Sequence, residues 1–229
     1  MAAMKNIIMV LDTETCDLQG NVYDVGFTVT NRKGEILHSW HGLVEEIFTD
    51  AKKMMGAFYA RKLFSHYAPM LDRGEISLWS WWDVVAAIRS AVDLLDVNIL
   101  SAYNLAFDRR VMRQTNKLLG GEPIFTSPVK QLDIWRFACE TQLSSSTYKR
   151  LAREQGWVSN AGNIRTGAEY AYRFCSGDWG FKEDHTALSD AVIETAILAR
   201  CFASKKKIPY NFVSNKYANA PWRIVNQGS

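Results

Sequence analysis

Long hydrophobic runs are missing from this 229-residue chain. Near its start the longest is residues 7–11, far short of the ~18 that a membrane span requires. Lys5 and those apolar residues lead straight into Asp12 with no small-residue cleavage site, so no secretory leader is expected and the protein is placed in the cytoplasm. Cysteine is sparse: Cys16, Cys139, Cys175 and Cys201 are scattered, with no CxxC pair and no histidine at zinc-ligand spacing. That argues against a zinc site or a disulfide framework and for buried thiols. No repeat or low-complexity tract interrupts the chain.

A strong charge imbalance is also lacking. Twenty-seven basic against twenty-four acidic residues leave a formal charge of +3, which permits a polyanionic partner without demanding one. What is present is ordinary globular material, 48% hydrophobic and 22% charged. It is enough for one sizeable core, and the expectation is a single domain over 1–229.

Residues 7–11 are apolar without alternation, as in a strand covered on both faces within an α/β sheet. Residues 22–30 and 36–44 are β-rich and flank Asn31, Arg32, Lys33 and Gly34, the composition of a hairpin turn. Three antiparallel strands in succession are predicted. His38 and His41 flank Trp40 within the third and read as structural. From 48 to 71, Met54, Met55, Phe58, Tyr59, Lys62 and Leu63 recur at helical spacing, predicting one helix with a basic flank. Ser80 is placed to cap an amphipathic helix reaching about 96, and 98–103 returns to strand character. Asn104 is placed to cap a helix that Gly120 and Gly121 end. Further helical stripes cover 131–142 and 148–155, and a loop is expected over 156–167. The last long helix runs from about 184 to 203, followed by a basic tail from about 205.

Asp12 and Glu14 stand one residue apart where the first strand ends, so both carboxylates point to the same side, about 6 to 7 Å apart. Asp108 lies in the first turn of the helix after the fourth strand. Asp190 lies early on the last helix, five residues after His185. Five helical residues turn about 140° off a common face, so for the two to act together His185 must precede the helix, with Asp184 as its cap.

The motifs DTET at 12–15, NLAFD at 104–108 and HTALSD at 185–190, in that order and separation, resemble the DEDDh family of 3′→5′ exonucleases. That family has the ribonuclease H-like fold and includes polymerase proofreading subunits and RNA-trimming enzymes. The resemblance implies an α/β architecture with a central mixed five-stranded sheet, three antiparallel strands and then parallel ones, flanked by helices. The segment from about 48 to 78 is longer than in the smallest members and reads as a helical insertion able to alter substrate choice. The QLDIWRFA stretch around Asp133 is given a packing role.

The implied activity is metal-dependent removal of nucleoside 5′-monophosphates from the 3′ end of single-stranded DNA or RNA. Four crowded carboxylates repel one another unless cations lie between them, and an all-oxygen ligand set suits Mg²⁺ or Mn²⁺. By family likeness two ions are held by Asp12, Glu14, Asp108 and Asp190, with Asp12 bridging, Glu14 and Asp190 completing one shell and Asp108 serving the other through water. His185 takes the proton from the attacking water, a role suited to an imidazole whose ordinary pKa is about 6.5. The resemblance further implies that the backbone around Thr13 and Glu14 approaches the sugar of the terminal nucleotide, with Asn104 and His185 as further substrate contacts. Lys52, Lys53, Arg61, Lys62, Arg109, Arg110, Arg150, Arg153 and Arg165 are candidates to track phosphates. Tyr103, Phe107, Trp79, Trp81 and Trp82 read as packing aromatics. A polymerase or a second copy of the chain is left open as a partner. The competing readings are a non-catalytic module of the same fold and an endonuclease.

Overall fold

A computed structural model describes residues 6–18, 20–57, 60–121, 123–125, 129–204, 207–210 and 220–227. Strands β1 (Ile8–Asp17), β2 (Gly20–Thr30) and β3 (Ile36–Val44) form an antiparallel meander. Asn31 closes its second turn, its backbone carbonyl accepting the Gly34 N–H at 3.0 Å. β5 (Ile99–Ala102) runs parallel to β1, and β6 (Lys130–Asp133) runs parallel to β5. The sheet order is β4-β3-β2-β1-β5-β6, a mixed α/β architecture with the antiparallel and parallel halves expected from the resemblance. The expected count of five strands is corrected to six. The sixth is β4 (Leu78–Trp79), a two-residue edge strand parallel to β3, too short to leave a periodicity.

Both faces of β1 are covered, which explains why its apolar residues do not alternate with polar ones. Met9 and Leu11 join one core with Trp81, Val84 and Ile88 of α4 (Trp81–Leu94) and Val111 and Met112 of α5 (Leu105–Leu119). Ile8 and Val10 join the other with Phe137 of α6 (Ile134–Ala138) and Ile197 and Leu198 of α9 (Ala187–Ala203). Ser80 caps α4 as predicted, accepting the Asp83 N–H at 3.2 Å, and Gly120 ends α5 in the left-handed conformation. Asn104 also stands left-handed at the start of α5, with φ +73°, but its side chain makes no capping hydrogen bond.

The single helix expected over 48–71 is instead a string of short turns: α1 (Glu45–Phe48), α2 (Ala51–Met55), a π-helical turn over Leu63–Tyr67 and α3 (Ala68–Asp72). Pro69 follows closely on the π-helical turn, where it offers no N–H to the helical ladder. Phe58 and Tyr59 lie outside the described residues. The helix expected over 131–142 begins as strand β6, and Asp133 then caps α6 by accepting the Arg136 N–H at 2.9 Å. A second π-helical turn, Cys139–Leu143, follows. α7 (Ser146–Glu154) matches its expectation, whereas α8 (Ala168–Ser176) was not foreseen. Of the basic tail, Lys205 and Lys206 lie outside the described residues, and α10 (Trp222–Asn226) seats Val225 in the second core.

Cys16, Cys139 and Cys201 are buried free thiols and Cys175 is half-buried. No helix among the described residues is long and apolar enough to cross a membrane.

Candidate active site

Three elements, β1, α5 and α9, carry the acidic residues to one place. Asp12 and Glu14 lie on β1 opposite Gly26 and Asp24 of β2, and the register breaks between Glu14 and Thr15. Asp108 projects from the first turn of α5, where its Oδ1 accepts the Thr13 hydroxyl at 2.9 Å. That bond ties the second motif to the first. Asp190 lies in the first turn of α9, and His185 precedes the helix with φ +55°. The histidine therefore sits in the loop, as the 140° argument requires. Donor atoms of Glu14, His185 and Asp190 lie within 4.8 Å of one another. Thr13 is buried behind this group, and Asn104 occupies the turn from β5 into α5.

The last helix starts at Ala187 rather than 184, and its first N–H is accepted by a distant side chain. The Ala187 N–H donates to Asp24 Oδ2 at 3.0 Å, whereas Asp184 accepts only long bonds from Thr186 at 3.4 Å. Asp24, fully buried, also accepts the Tyr67 hydroxyl at 2.7 Å and lies 2.8 Å from His41 Nε2. His41 thus has the structural role expected of it, and it helps to satisfy a carboxylate that the sequence did not single out. Gly26 is equally specific. A Cβ there would lie 2.2 Å from the Leu188 nitrogen, so only glycine lets α9 descend onto β2 at this point.

Burial and mutual repulsion dominate the electrostatics. Burial, then Glu194, Asp108, Asp190 and Glu14, hold the Asp12 carboxyl well above the usual carboxylate range. Burial likewise pushes Glu14 and Asp190 to about 8. It takes Asp108 to about 7 against the opposing Thr13 hydrogen bond. Each group reports the same condition: excess negative charge away from water. His185 moves the other way, lowered by burial and then by Lys62, which favours the neutral imidazole. Its side chain is 32% exposed, against 10 to 12% for Glu14 and Asp190, so the cluster opens toward solvent on the histidine side.

Three further ionisable groups in this cluster were not assigned to it from sequence. Glu194, one turn beyond Asp190, is buried and accepts the Tyr103 N–H at 2.9 Å. Its i+4 spacing from Asp190 on a common helix face was a readable signal. Glu183 lies 3.6 Å from His185 Nδ1 and is raised to about 7 by burial and then Glu169. Lys62, grouped above with the phosphate-tracking candidates, is instead 8% exposed. Its Nζ donates to the His185 carbonyl at 2.5 Å and lies 3.9 Å from Glu14 Oε1. Of the other candidates, Arg109 is held by Gln131 at 2.6 Å, and Arg150 faces Glu154 at 3.9 Å on an exposed helix surface. Trp81 is buried, with its indole N–H on Asn116 Oδ1 at 2.9 Å, which agrees with packing.

The donor set fits hard divalent cations. The carboxylates are oxygen donors, and Asp190 Oδ1 is buried with no hydrogen-bond partner among the described residues. A cation would satisfy that atom and the charge excess together.

No family model matches this chain, and no curated protein matches it. One solved structure, described as exonuclease X in complex with 5′-overhanging duplex DNA, is similar over 88% of this chain and 95% of that one, at 18% identity and a TM-score of 0.49.

Proposed function

We propose that the protein is a metal-dependent 3′→5′ exonuclease that releases nucleoside 5′-monophosphates from the end of single-stranded DNA or RNA. The observation that carries the reading is the convergence of Glu14, His185 and Asp190 within 4.8 Å, with an Asp190 oxygen that has no hydrogen-bond partner among the described residues, beside Asp12 and the Thr13-tethered Asp108. A purely structural carboxylate has its buried oxygens hydrogen-bonded; Asp190 Oδ1 has no such partner among the described residues.

Asp12, Glu14, Asp108 and Asp190 would hold Mg²⁺ or Mn²⁺. Two such ions, when bound, offset charge on the attacking and leaving oxygens of an in-line displacement at phosphorus. His185, neutral and partly open to solvent, accepts the proton of the attacking water. The water oxygen bonds to phosphorus as the bond to the 3′-oxygen breaks, the terminal nucleotide leaves with its 5′-phosphate, and the 3′-oxygen takes a proton from solvent, so the shortened strand ends in a 3′-hydroxyl. Thr13 fixes the Asp108 carboxylate, and the backbone at Thr13 and Glu14 together with Asn104 would seat the terminal sugar.

The test is mononucleotide release from end-labelled single strands, DNA and RNA side by side, with Mg²⁺ or Mn²⁺ and then with chelator. A closed circular strand is the control and should stay intact; cutting it would make the enzyme an endonuclease. Tight binding without release would make the chain a non-catalytic module.

A further inference from the structure

The insertion between β3 and α4 grips the acidic cluster at two points five residues apart. Lys62 donates to the His185 carbonyl at 2.5 Å and stands 3.9 Å from Glu14. Tyr67 donates its hydroxyl to Asp24 Oδ2 at 2.7 Å, the same oxygen that accepts the Ala187 N–H. The segment held between them, His185 to Ala187, leads into α9 and contains a non-glycine residue at φ +55°. That backbone conformation is unfavourable for an ordinary L-residue and persists only where its surroundings impose it.

On an α-helix Lys62 and Tyr67 would point about 140° apart. The π-helical turn Leu63–Tyr67, with i→i+5 bonding, brings residues five apart nearer to one face. Lysine is almost never this deeply buried without a partner. Here its partners are the carbonyl of the residue carrying the imidazole and one carboxylate of the cluster.

We propose that Lys62 is a positioning residue for this site, an internal cation that fixes the left-handed His185 backbone and offsets Glu14. The docked insertion thereby sets where the imidazole points. The inference rests on the metal-dependent exonuclease reading for its kinetic and Mn²⁺ arms, and stands apart from it in the chelator melts and the double variant.

Lys62→Met keeps the aliphatic stem and removes the charge and the donors; Lys62→Arg keeps both. Melting temperature is measured in chelator and across a Mn²⁺ titration, and kcat and KM on an end-labelled oligonucleotide. In chelator the Met variant should melt below wild type, and Mn²⁺ should raise it further than it raises wild type, because the added ion supplies the missing charge. Its kcat should fall on the order of 10- to 100-fold with little change in KM, the usual result of a displaced catalytic group. The Arg variant should recover most of that loss. Adding Glu14→Gln to Lys62→Met should restore the melting temperature in chelator, including where the single variant does not fold. Equal melting of Met variant and wild type in chelator, with equal Mn²⁺ gains, overturns the proposal, as does a double variant no more stable than Lys62→Met. A wild type that cuts nothing while the melting pattern holds removes the exonuclease reading and leaves Lys62 in place.

Discussion

Gly26 lies directly beneath the peptide that joins Ala187 to Leu188, so close that a single added methyl would come within 2.5 Å of three backbone atoms of α9. The first turn of the helix bearing Asp190 is therefore set by what is absent from β2. Gly26→Ala should lift that turn, and overpacking of this kind destabilises by about 1–3 kcal/mol. The matching loss of activity should exceed the loss of folded protein, because Asp190 moves with the turn. Urea melts and turnover on the same preparation check this, and a variant with normal melting and rate would show that α9 accommodates the methyl.

Asp12→Asn and Asp190→Asn should lose nearly all turnover while melting in chelator at or above the wild-type temperature, since each removes one charge from a mutually repelling group. His185→Ala should cost about 10² to 10⁴ in kcat, the usual worth of a positioned base. In the wild-type pH profile the acid limb should fall below the ordinary histidine value of 6.5, because burial and Lys62 lower His185. That limb should vanish in the Ala variant.

Stability should also depend on pH in a definite direction. Glu14 and Asp190 titrate near 8 and Asp108 near 7 in the folded chain, well above their ordinary values of 4.5, 3.8 and 3.8. Between those limits the folded state holds protons that the unfolded state has released, so the stability of the cation-free protein declines as pH rises from about 4 to 8. His185, with a lowered value, opposes this over the interval just below 6.5. Melting in chelator should therefore be lower at pH 8 than at pH 5. Mn²⁺ should raise it more at pH 8, where the carboxylates are free to bind. A melting temperature that ignores both pH and Mn²⁺ would speak against a cation site.

Glu194 separates hydrogen bonding from charge. Its Oε2 accepts the Tyr103 N–H at 2.9 Å in a fully buried position. Glu194→Leu should destabilise by about 1–3 kcal/mol through the orphaned N–H, while Glu194→Gln, which keeps an acceptor, should lose well under half of that. Equal losses in denaturant melts would assign the effect to packing instead.

Much of the fold was legible because its signals are local. The unbroken apolar run of β1, the Asn31 to Gly34 turn, the Ser80 cap and the Gly120 stop each report their own neighbourhood and stand where expected, except that β1 does not end at Asp12 but continues to Asp17, because β2 pairs with it beyond the apolar run. Asp12, Glu14, Asp108, His185 and Asp190 were readable as one group only through three motifs in order. Their convergence is a long-range property that spacing does not state. The failures share a cause. The π-helical turn that follows Lys62 and ends at Tyr67 is flanked by contacts to His185 and Asp24, more than a hundred and more than forty residues away in the chain respectively. Asp24 and Gly26 have meaning only once α9 is in place, and β4 is two residues that pair because β3 offers an edge.

The order in which the site's pieces occur along the chain has a consequence during synthesis. β1 and α5 emerge from the ribosome with Asp12, Glu14 and Asp108, but the imidazole and the fourth carboxylate belong to the loop and helix at 185–203. A nascent polypeptide that has not yet delivered α9 has no complete acidic centre. The cluster of Glu14, His185 and Asp190 therefore assembles only after residues 185–203 have been synthesised and have packed on β1 and β2.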